Sequence, residues 1–352
     1  MLDNKNSYLS HWMEGTGPAA ETVISSRVRL ARNLKDFSFP YLADESSNLE
    51  VQSLVEKAVE SQGEDMIDFS IVKMDYIPPV IKQVMMEKHL ISPLLAKESR
   101  NSGVYLRKDE AVSIMINEED HLRIQAIFPG LQLEKAWEEA GRYDNLLEES
   151  LDYSFHERYG YLSSCPTNVG TGMRASVMLH LPGLIITRQF NRILGALSQV
   201  GLAFRGLYGE GTEIIGNLVQ ISNQITLGQT EEEIIRSLLS VTRQIIEQEN
   251  RSCQALLNSN RDKIKDRALR SLGLLRHAHL ISSKEAMNLI SDLRLGFELG
   301  LVEGLERRLL NELLILIRPA YLQIVAEREL DENERDLERA RQLRKRLEVA
   351  VV

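Results

Sequence analysis

Two segments of this 352-residue chain combine residue types that suit phosphate chemistry. Residues 165–177 begin with Cys165 beside a proline, continue through a Thr/Asn/Gly loop, and reach Arg174 at the start of an apolar run. Arg27 and Arg29 lie two positions apart, so in a strand both guanidinium groups would project from one face. Because planar guanidinium donors bind phosphate oxygens in pairs, these arginines indicate a site for a polyphosphate.

Two acidic residues could serve as a base or a clamp for a nucleophile in such a site. A carboxylate can orient a nitrogen nucleophile and take its proton while the nitrogen attacks phosphorus. Glu119 lies in the acidic run 117–121 between two predicted strands, and it is the candidate base. Glu210 lies between glycines in 205–211, where a loop could close over a substrate, and it is the candidate second clamp.

The elements that must position these residues follow from the apolar patterns. We predict helices at 44–62 and 131–159, and strands at 23–30, 104–106, 111–116, 122–128, 184–188, 200–206 and 217–226. Strands and helices are interspersed without a regular βαβ repeat. We therefore predict an α+β fold, in which a largely antiparallel sheet is flanked by helices.

After about residue 228 the pattern becomes helical. Two capping boxes predict helix starts, at Thr230 with Glu233 and at Ser282 with Glu285. The first helix should run to about residue 249, a third should cover 303–317, and a charged fourth should begin near 331. We predict a loosely attached N-terminal arm at 1–21, a catalytic domain at 22–252, and an all-helical C-terminal domain at 253–352.

Composition bounds the class of protein. Hydrophobic residues make up 43% and charged residues 26%, which is typical of a globular chain long enough for two domains. The net charge of −9 argues against a nucleic-acid binder, and no apolar run approaches the ~18 residues that span a membrane. Two cysteines cannot build a disulfide framework, and the N-terminus lacks a signal-peptide pattern. We expect a soluble cytoplasmic protein without a membrane or nucleic-acid partner.

Three motifs, in this order along the chain, carry a family resemblance: Ser25-Ser26-Arg27-Val28-Arg29, Asn117-Glu118-Glu119-Asp120-His121 and the stretch 165–177. Together they resemble the ATP:guanidino phosphotransferases, the family of the arginine and creatine kinases. The resemblance covers roughly residues 22–252. It implies a guanidino kinase fold with a glutamine synthetase-like catalytic core, and an enzyme that uses ATP and Mg²⁺ to phosphorylate a guanidinium.

The resemblance also implies roles for single residues. The ATP site would comprise Ser25, Ser26, Arg27, Val28, Arg29, His89, Arg123, Arg174, Ala175, Ser176, Val177, Met178, Arg205, Gly206, Leu207, Tyr208 and Gly209. The five arginines of this set would bind the phosphates, and the histidine would contact the base or ribose. The catalytic residues would be Glu119, Glu210 and Cys165, with the thiolate beside the acceptor and near the Thr167 hydroxyl.

Some of these roles have plainer alternatives. Mg²⁺ would bind through the ATP phosphates, with Glu118 or Asp120 acting on it only indirectly. His89 could instead be an ordinary helix-end histidine, and Cys165 a buried structural cysteine. Gly170-Thr171-Gly172 lacks the lysine of a phosphate-binding P-loop, so on its own it is a weak signal.

The surroundings of the catalytic motifs indicate which guanidinium is phosphorylated. Small-molecule members of the family carry a substantial helical N-terminal domain, which closes over the free amino acid. Here only about 20 residues precede the first motif, and a helical region follows the last. The resemblance therefore implies an open acceptor site and a kinase for arginine residues in proteins, which would mark them for Clp-type proteolysis and stress regulation.

A second motif lies in the charged tail. Arg335, Asp336, Arg339 and Ala340 fit the RDxxRA pattern with which this branch of the family binds phosphoarginine at a regulatory site. Arg335 and Arg339 are four residues apart, so they share one face of a helix and could grip a phosphate together. Asp336 could pair with the modified guanidinium. A solvated helix face is the alternative.

The resemblance implies several partners, and other functions compete with it. Expected partners are protein substrates with accessible arginines, a second copy in a homodimer, the Clp unfoldase and protease, and a zinc-binding activator. The alternatives are a small-molecule guanidino kinase of the arginine or creatine type, a catalytically silent phosphoarginine-binding adaptor, and a purely structural dimerisation protein.

Overall fold

An antiparallel sheet of eight strands carries Arg27 and Arg29 near its centre. The structure, a computed structural model, describes residues 9–199, 201–206 and 213–349. Its strands are β1 (Val23–Arg32), β2 (Phe69–Lys73), β3 (Gly103–Arg107), β4 (Val112–Ile116), β5 (Leu122–Pro129), β6 (Phe155–His156), β7 (Gly160–Tyr161), β8 (Met173–His180), β9 (Leu202–Gly206) and β10 (Leu218–Asn223). The large sheet has the order β2-β3-β4-β5-β1-β8-β10-β9, and β6 pairs with β7 alone. The predicted α+β class with a largely antiparallel sheet is confirmed.

Eleven helices accompany the strands in the described ranges. They are α1 (Glu45–Ser61), α2 (Pro79–Glu87), α3 (Pro93–Lys97), α4 (Leu133–Glu148), α5 (Pro182–Ile186), α6 (Phe190–Gln199), α7 (Glu231–His277), α8 (Ser283–Glu298), α9 (Arg307–Leu316), α10 (Pro319–Ala326) and α11 (Glu332–Val349). Within these ranges no single helix is long and apolar enough to cross a membrane, and α9 with α10 passes such a test only as a pair bent by 84°.

The register of the central strands decides which side chains share a face. Arg27 of β1 lies opposite Ile127 of β5, and Arg29 lies opposite Arg174 of β8. Directly opposed residues of antiparallel strands project from the same face, so these arginines project together. Intervening residues such as Val28 point to the other face, where α1, α4 and the first half of α7 cover a large apolar core.

The helical second half of the chain packs against one end of the arginine face. Ile127, Met178 and Leu218 share that face and belong to a core formed mainly by α8, α9, α10 and α11. Trp12 and Met13 are fully buried in the same core. The expectation of a loosely attached N-terminal arm is therefore wrong for residues 9–21, because these two large side chains fix the segment between the sheet and the helices.

Three element predictions differ from the structure. The predicted strand at 184–188 is instead α5, because Pro182 starts a helical turn and the Glu249 carboxylate accepts hydrogen bonds from the N–H groups of Gly183 and Leu184 at 2.7 and 2.9 Å. The helix predicted for 131–159 ends at Glu148, and the chain then forms the hairpin of β6 and β7.

The third difference concerns the first helix of the second half. The predicted capping box is present, since Thr230 and Glu233 exchange both hydrogen bonds. The helix that it opens does not end near residue 249 but continues to His277, with a kink at Asn260. The boundary predicted between residues 252 and 253 therefore lies inside a continuous α-helix.

One buried carboxylate joins the catalytic half of the chain to the helical half. Glu87, at the end of α2, accepts hydrogen bonds from the first free N–H groups of α10, those of Ala320 and Tyr321, at 2.9 and 3.0 Å. Burial raises the pKa of Glu87, and these N–H groups together with the Arg318 guanidinium oppose that shift. A carboxylate at a helix N-terminus is favourable because it faces the positive end of the helix dipole.

Replacing Glu87 should therefore weaken the whole chain. Glu87→Ala leaves two N–H groups unpaired at a buried junction, and we expect it to lower the free energy of unfolding by about 2 kcal/mol. Urea denaturation followed by circular dichroism measures this change. Glu64→Gln, at an exposed position of a short 3-10 turn, is the control and should unfold like the wild type. An unchanged midpoint in Glu87→Ala would contradict the proposed role of this contact.

Candidate active site

A cavity of about 640 Å³ opens on the arginine face of the sheet. Four of the five arginines predicted to bind phosphate line it: Arg29, Arg123, Arg174 and Arg205. The fifth, Arg27, lies beside the cavity and donates a hydrogen bond at 3.0 Å to Gln220, a lining residue. The strands β1, β5, β8 and β9 thus bring together arginines that are far apart in the sequence.

The crowding of like charges shows in the pKa values of these arginines. Burial and the neighbouring guanidinium groups of Arg27, Arg123 and Arg174 lower the pKa of Arg29 well below its usual value. Burial and the Arg205 guanidinium also lower the pKa of Arg174. The Nε atom of Arg29 is buried and has no hydrogen-bond partner among the described residues. An anion in this cavity would relieve the repulsion and supply that missing partner.

Two adjacent carboxylates balance part of this charge. Arg123 binds both of them, with one nitrogen 2.7 Å from Glu118 and another 2.8 Å from Glu119. Glu118 is further fixed by the Ser92 hydroxyl and by the N–H of Glu119. Its side chain is almost fully buried, whereas that of Glu119 is 35% exposed. Glu119 is therefore the carboxylate of this pair that an incoming substrate can reach.

Asp120 does not line the cavity, and its indirect action on Mg²⁺ stays a prediction. It is fully buried, and its carboxylate accepts hydrogen bonds from Asn33, from the Ser163 hydroxyl and from the N–H of Ser164, at 2.6, 2.9 and 2.7 Å. The Ser163 oxygen in turn accepts a hydrogen bond from the N–H of Cys165. Asp120 thus positions the segment that carries the thiol next to the hairpin that carries the candidate base.

Cys165 lines the same cavity as Glu119. Its sulfur lies 3.0 Å from the Thr167 hydroxyl, as the sequence predicted for a supported thiolate. The pKa of Arg174 is lowered by burial and by the Arg205 guanidinium, and the proximity of Cys165 and Glu119 opposes that shift without reversing it. Cys253 is far from this arrangement and bonds to Glu249, where burial beside that carboxylate raises the pKa of its thiol. The cavity therefore holds a thiol, a reachable carboxylate and several guanidinium groups.

The other predicted ATP-binding residues contribute mainly to the strands. Val28, Ala175 and Val177 point into the core on the opposite face, and Met178 packs against the helical half. The predicted serines are buried as well: Ser25, Ser26 and Ser176. Their side chains do not line the cavity, so the signature motif fixes the register of the arginines more than it supplies contacts. Gly206 ends β9, and the predicted residues Leu207, Tyr208, Gly209 and Glu210 lie outside the described residues.

His89 is also removed from the cavity lining. Its ring packs 5.5 Å from that of Trp12, and its carbonyl accepts a hydrogen bond from Gln125. Burial and the guanidinium groups of Arg27 and Arg318 lower the pKa of His89 to about 3, so the ring is neutral near pH 7. The predicted contact with the nucleotide base or ribose stays a prediction.

Three of the polar lining residues that the sequence analysis missed are Ser92, Gln220 and Ser222. Ser92 caps the N-terminus of α3, and a serine followed by proline is a helix-start signal that would have indicated its position. Gln220 and Ser222 are two apart on β10 and face the cavity. A polar alternation inside an otherwise apolar strand was the signal for both of them.

The second motif lies on α11, which carries Arg335, Asp336, Arg339 and Ala340. Arg339 is buried, and its guanidinium donates hydrogen bonds at 2.8 Å to the carbonyls of Ile281 and Ile317 and binds Asp336. It therefore fixes the ends of neighbouring segments. Arg335 is partly exposed and donates to a backbone carbonyl at 2.8 Å. Arg339 is thus buried and holds neighbouring backbone segments together, whereas part of the Arg335 side chain is accessible to solvent.

Comparison with known proteins agrees with this geometry. A model of the ATP:guanido phosphotransferase C-terminal catalytic domain matches residues 50–252, and one of the protein-arginine kinase McsB C-terminal domain matches residues 261–351. A protein-arginine kinase of Halothermothrix orenii is 53% identical over 346 residues, covering 98% of each chain. One of Pelotomaculum thermopropionicum is 50% identical over 347 residues with the same coverage. The crystal structure of a lombricine kinase shares the fold, with a TM-score of 0.59 at 24% identity over 67% of this chain and 68% of that one.

Proposed function

This chain belongs to the ATP:guanido phosphotransferase family, and we propose that it acts as an ATP-dependent protein-arginine kinase. The reaction would transfer the γ-phosphate of ATP to the guanidinium of arginine residues in proteins. The observation that carries this proposal is the composition of one cavity. Several guanidinium groups, one of which has an Nε without a hydrogen-bond partner among the described residues, line it together with a reachable carboxylate and a thiol.

The described residues suit both partners of such a reaction, the ATP phosphates and the acceptor guanidinium. Phosphoryl transfer depends on positioning and on charge neutralisation, and the arginine cluster provides both for a polyphosphate. On the acceptor side, Glu119 would orient the incoming guanidinium and take its proton while the N–P bond forms. Cys165 would lie beside the acceptor and add negative charge close to it. No covalent enzyme intermediate is required, because the nitrogen attacks the γ-phosphorus directly and ADP leaves.

We propose Mg²⁺ as the metal of this reaction, bound through the ATP phosphates. Among the residues that the structure describes, no group of three or more His, Cys, Asp or Glu could hold a metal ion. The carboxylates of Glu118 and Asp120 are both engaged by protein donors. The arginine face suits a polyphosphate anion, which would bring its own cation. When bound, the ion would supply further neutralisation of phosphate charge.

The family resemblance extends the proposal to the cellular setting. We propose a cytoplasmic enzyme of the stress response that marks proteins for Clp-type proteolysis and responds to a zinc-binding activator. We also propose a homodimer. Exposed leucines of the helical half are the apolar surface that a second copy would cover: Leu269, Leu274, Leu280 and Leu337.

A direct test uses unfolded casein, MgATP and mass spectrometry under conditions that preserve acid-labile phosphate. We expect phosphate on casein arginines. Glu119→Gln keeps an acceptor for Arg123 but removes the base, so we expect kcat to fall about 100-fold or more with ATP affinity little changed. If free arginine added to the same reaction were phosphorylated and casein were not, the protein would instead be a small-molecule kinase. Unchanged turnover in Glu119→Gln would contradict the assignment of the base.

We further propose that the motif on α11 binds phosphoarginine and regulates the enzyme. Arg335 is partly exposed and Arg339 is buried, so substitution of the first tests ligand binding and substitution of the second tests folding stability. Arg335→Ala should abolish calorimetric binding of free phosphoarginine and leave the melting temperature near that of the wild type. Arg339→Ala should lower the melting temperature, because it removes three buried hydrogen bonds. Arg341→Ala, an exposed position paired with Glu338, is the control. Normal phosphoarginine binding by Arg335→Ala would refute the site.

A further inference from the structure

A second cavity, of about 710 Å³, adjoins the cavity of the candidate active site. The two share Leu94, Glu118 and Glu119 in their linings. We name the second cavity the flank groove, and define it by Tyr41, Asn48, Leu94, Arg100, Asn117 and Ser164. Glu119 therefore lies at the border between an arginine-lined cavity and a groove that contains none of the five phosphate-binding arginines.

This border fixes the direction in which an acceptor arginine would enter. The polyphosphate belongs with the arginine cluster, so the guanidinium held by Glu119 must face that cavity. The aliphatic part of the acceptor side chain then leaves on the opposite side of Glu119, toward the flank groove. A free amino acid would fill little of a groove this large, whereas a polypeptide has residues on both sides of its arginine.

The groove contains hydrogen-bonding atoms without partners. Among the described residues, three buried side-chain atoms that lack a hydrogen bond belong to residues of its lining: the Asn48 Oδ1, the Asn117 Oδ1 and the Ser164 Oγ. Buried polar groups are usually paired, so unpaired ones concentrated at one place indicate a ligand whose N–H groups reach the two amide oxygens and whose N–H or C=O group pairs with the hydroxyl. An extended polypeptide backbone alternates N–H and C=O groups and meets that description.

The groove also has an apolar edge. The Tyr41 side chain is 71% exposed and that of Leu94 is 36% exposed. Charges around it are mixed and partly paired, since Lys97 lies 3.8 Å from Glu98 and Lys82 donates to Ser99. Because the charges are mixed, they give little preference for an acidic or a basic neighbour of the target arginine. An apolar side chain packed on the Tyr41 ring is the stronger source of recognition.

We propose that the flank groove binds the extended polypeptide segment next to the target arginine, with an aromatic or aliphatic neighbour packed against Tyr41 and Leu94. The proposal rests on the function proposed above. It implies that the enzyme prefers unfolded proteins, in which apolar residues adjacent to arginine are accessible in an extended chain.

The test compares two synthetic peptides, each with a single arginine flanked either by leucine and phenylalanine or by glycine. In Tyr41→Ala we expect kcat/KM for the apolar-flanked peptide to fall about tenfold, mainly through KM, with the KM for ATP unchanged. The glycine-flanked peptide should lose little. Ile67→Ala, which removes an equally exposed apolar side chain outside both cavities, should behave like the wild type.

Two results would overturn the groove assignment while the proposed function stands. One is wild-type kinetics for Tyr41→Ala on both peptides, and the other is an equal loss on both, which would show that Tyr41 does not recognise the flanking residue. Failure of the wild-type enzyme to phosphorylate either peptide would instead count against the proposed function, and the inference would fall with it.

Discussion

The repulsion among arginines on one sheet face is the constraint on which the rest of this structure depends. Arg29 and Arg174 lie opposite each other on adjacent strands, and like charges in that position oppose folding. Two features oppose this repulsion. An apolar core on the other face fixes the register of the antiparallel sheet, and Arg123 forms ion pairs with Glu118 and Glu119. In the part of the chain that the structure describes, the buried Arg29 Nε has no hydrogen-bond partner. We propose that the site is thus prepared for a polyphosphate at the expense of the stability of the free protein.

The helical half is part of the same arrangement rather than an appendage. Its core includes strand residues that share the arginine face, and it encloses Trp12 and Met13 from the N-terminal segment. Glu87 binds the start of α10 only a few residues from His89, whose pKa is lowered in part by Arg27 and Arg318. Packed contacts therefore connect the motif on α11 with the arginine face of the sheet. We propose that this connection is the structural precondition for regulation by that motif.

The sequence allowed prediction of the elements whose signals are local. Alternation of apolar residues identified β4, and the Thr230–Glu233 capping box identified the start of α7. The sequence failed where tertiary contacts decide: α5 looks like a strand until the Glu249 carboxylate caps it, and the long reach of α7 past residue 249 depends on packing against α8. In the site, motif residues could be assigned, but the role of Asp120 could not, because its partners are Asn33 and the segment 163–164, distant in sequence.

The most direct test of this account measures ATP affinity and folding stability in the same variant, Arg29→Gln. The substitution removes one of the crowded charges and the unpaired Nε. The account predicts that calorimetric ATP binding weakens about tenfold or more, while the free energy of unfolding of the free protein stays the same or increases. A variant that binds ATP as tightly as the wild type but unfolds more easily would contradict it, because Arg29 would then serve the fold and not the phosphate.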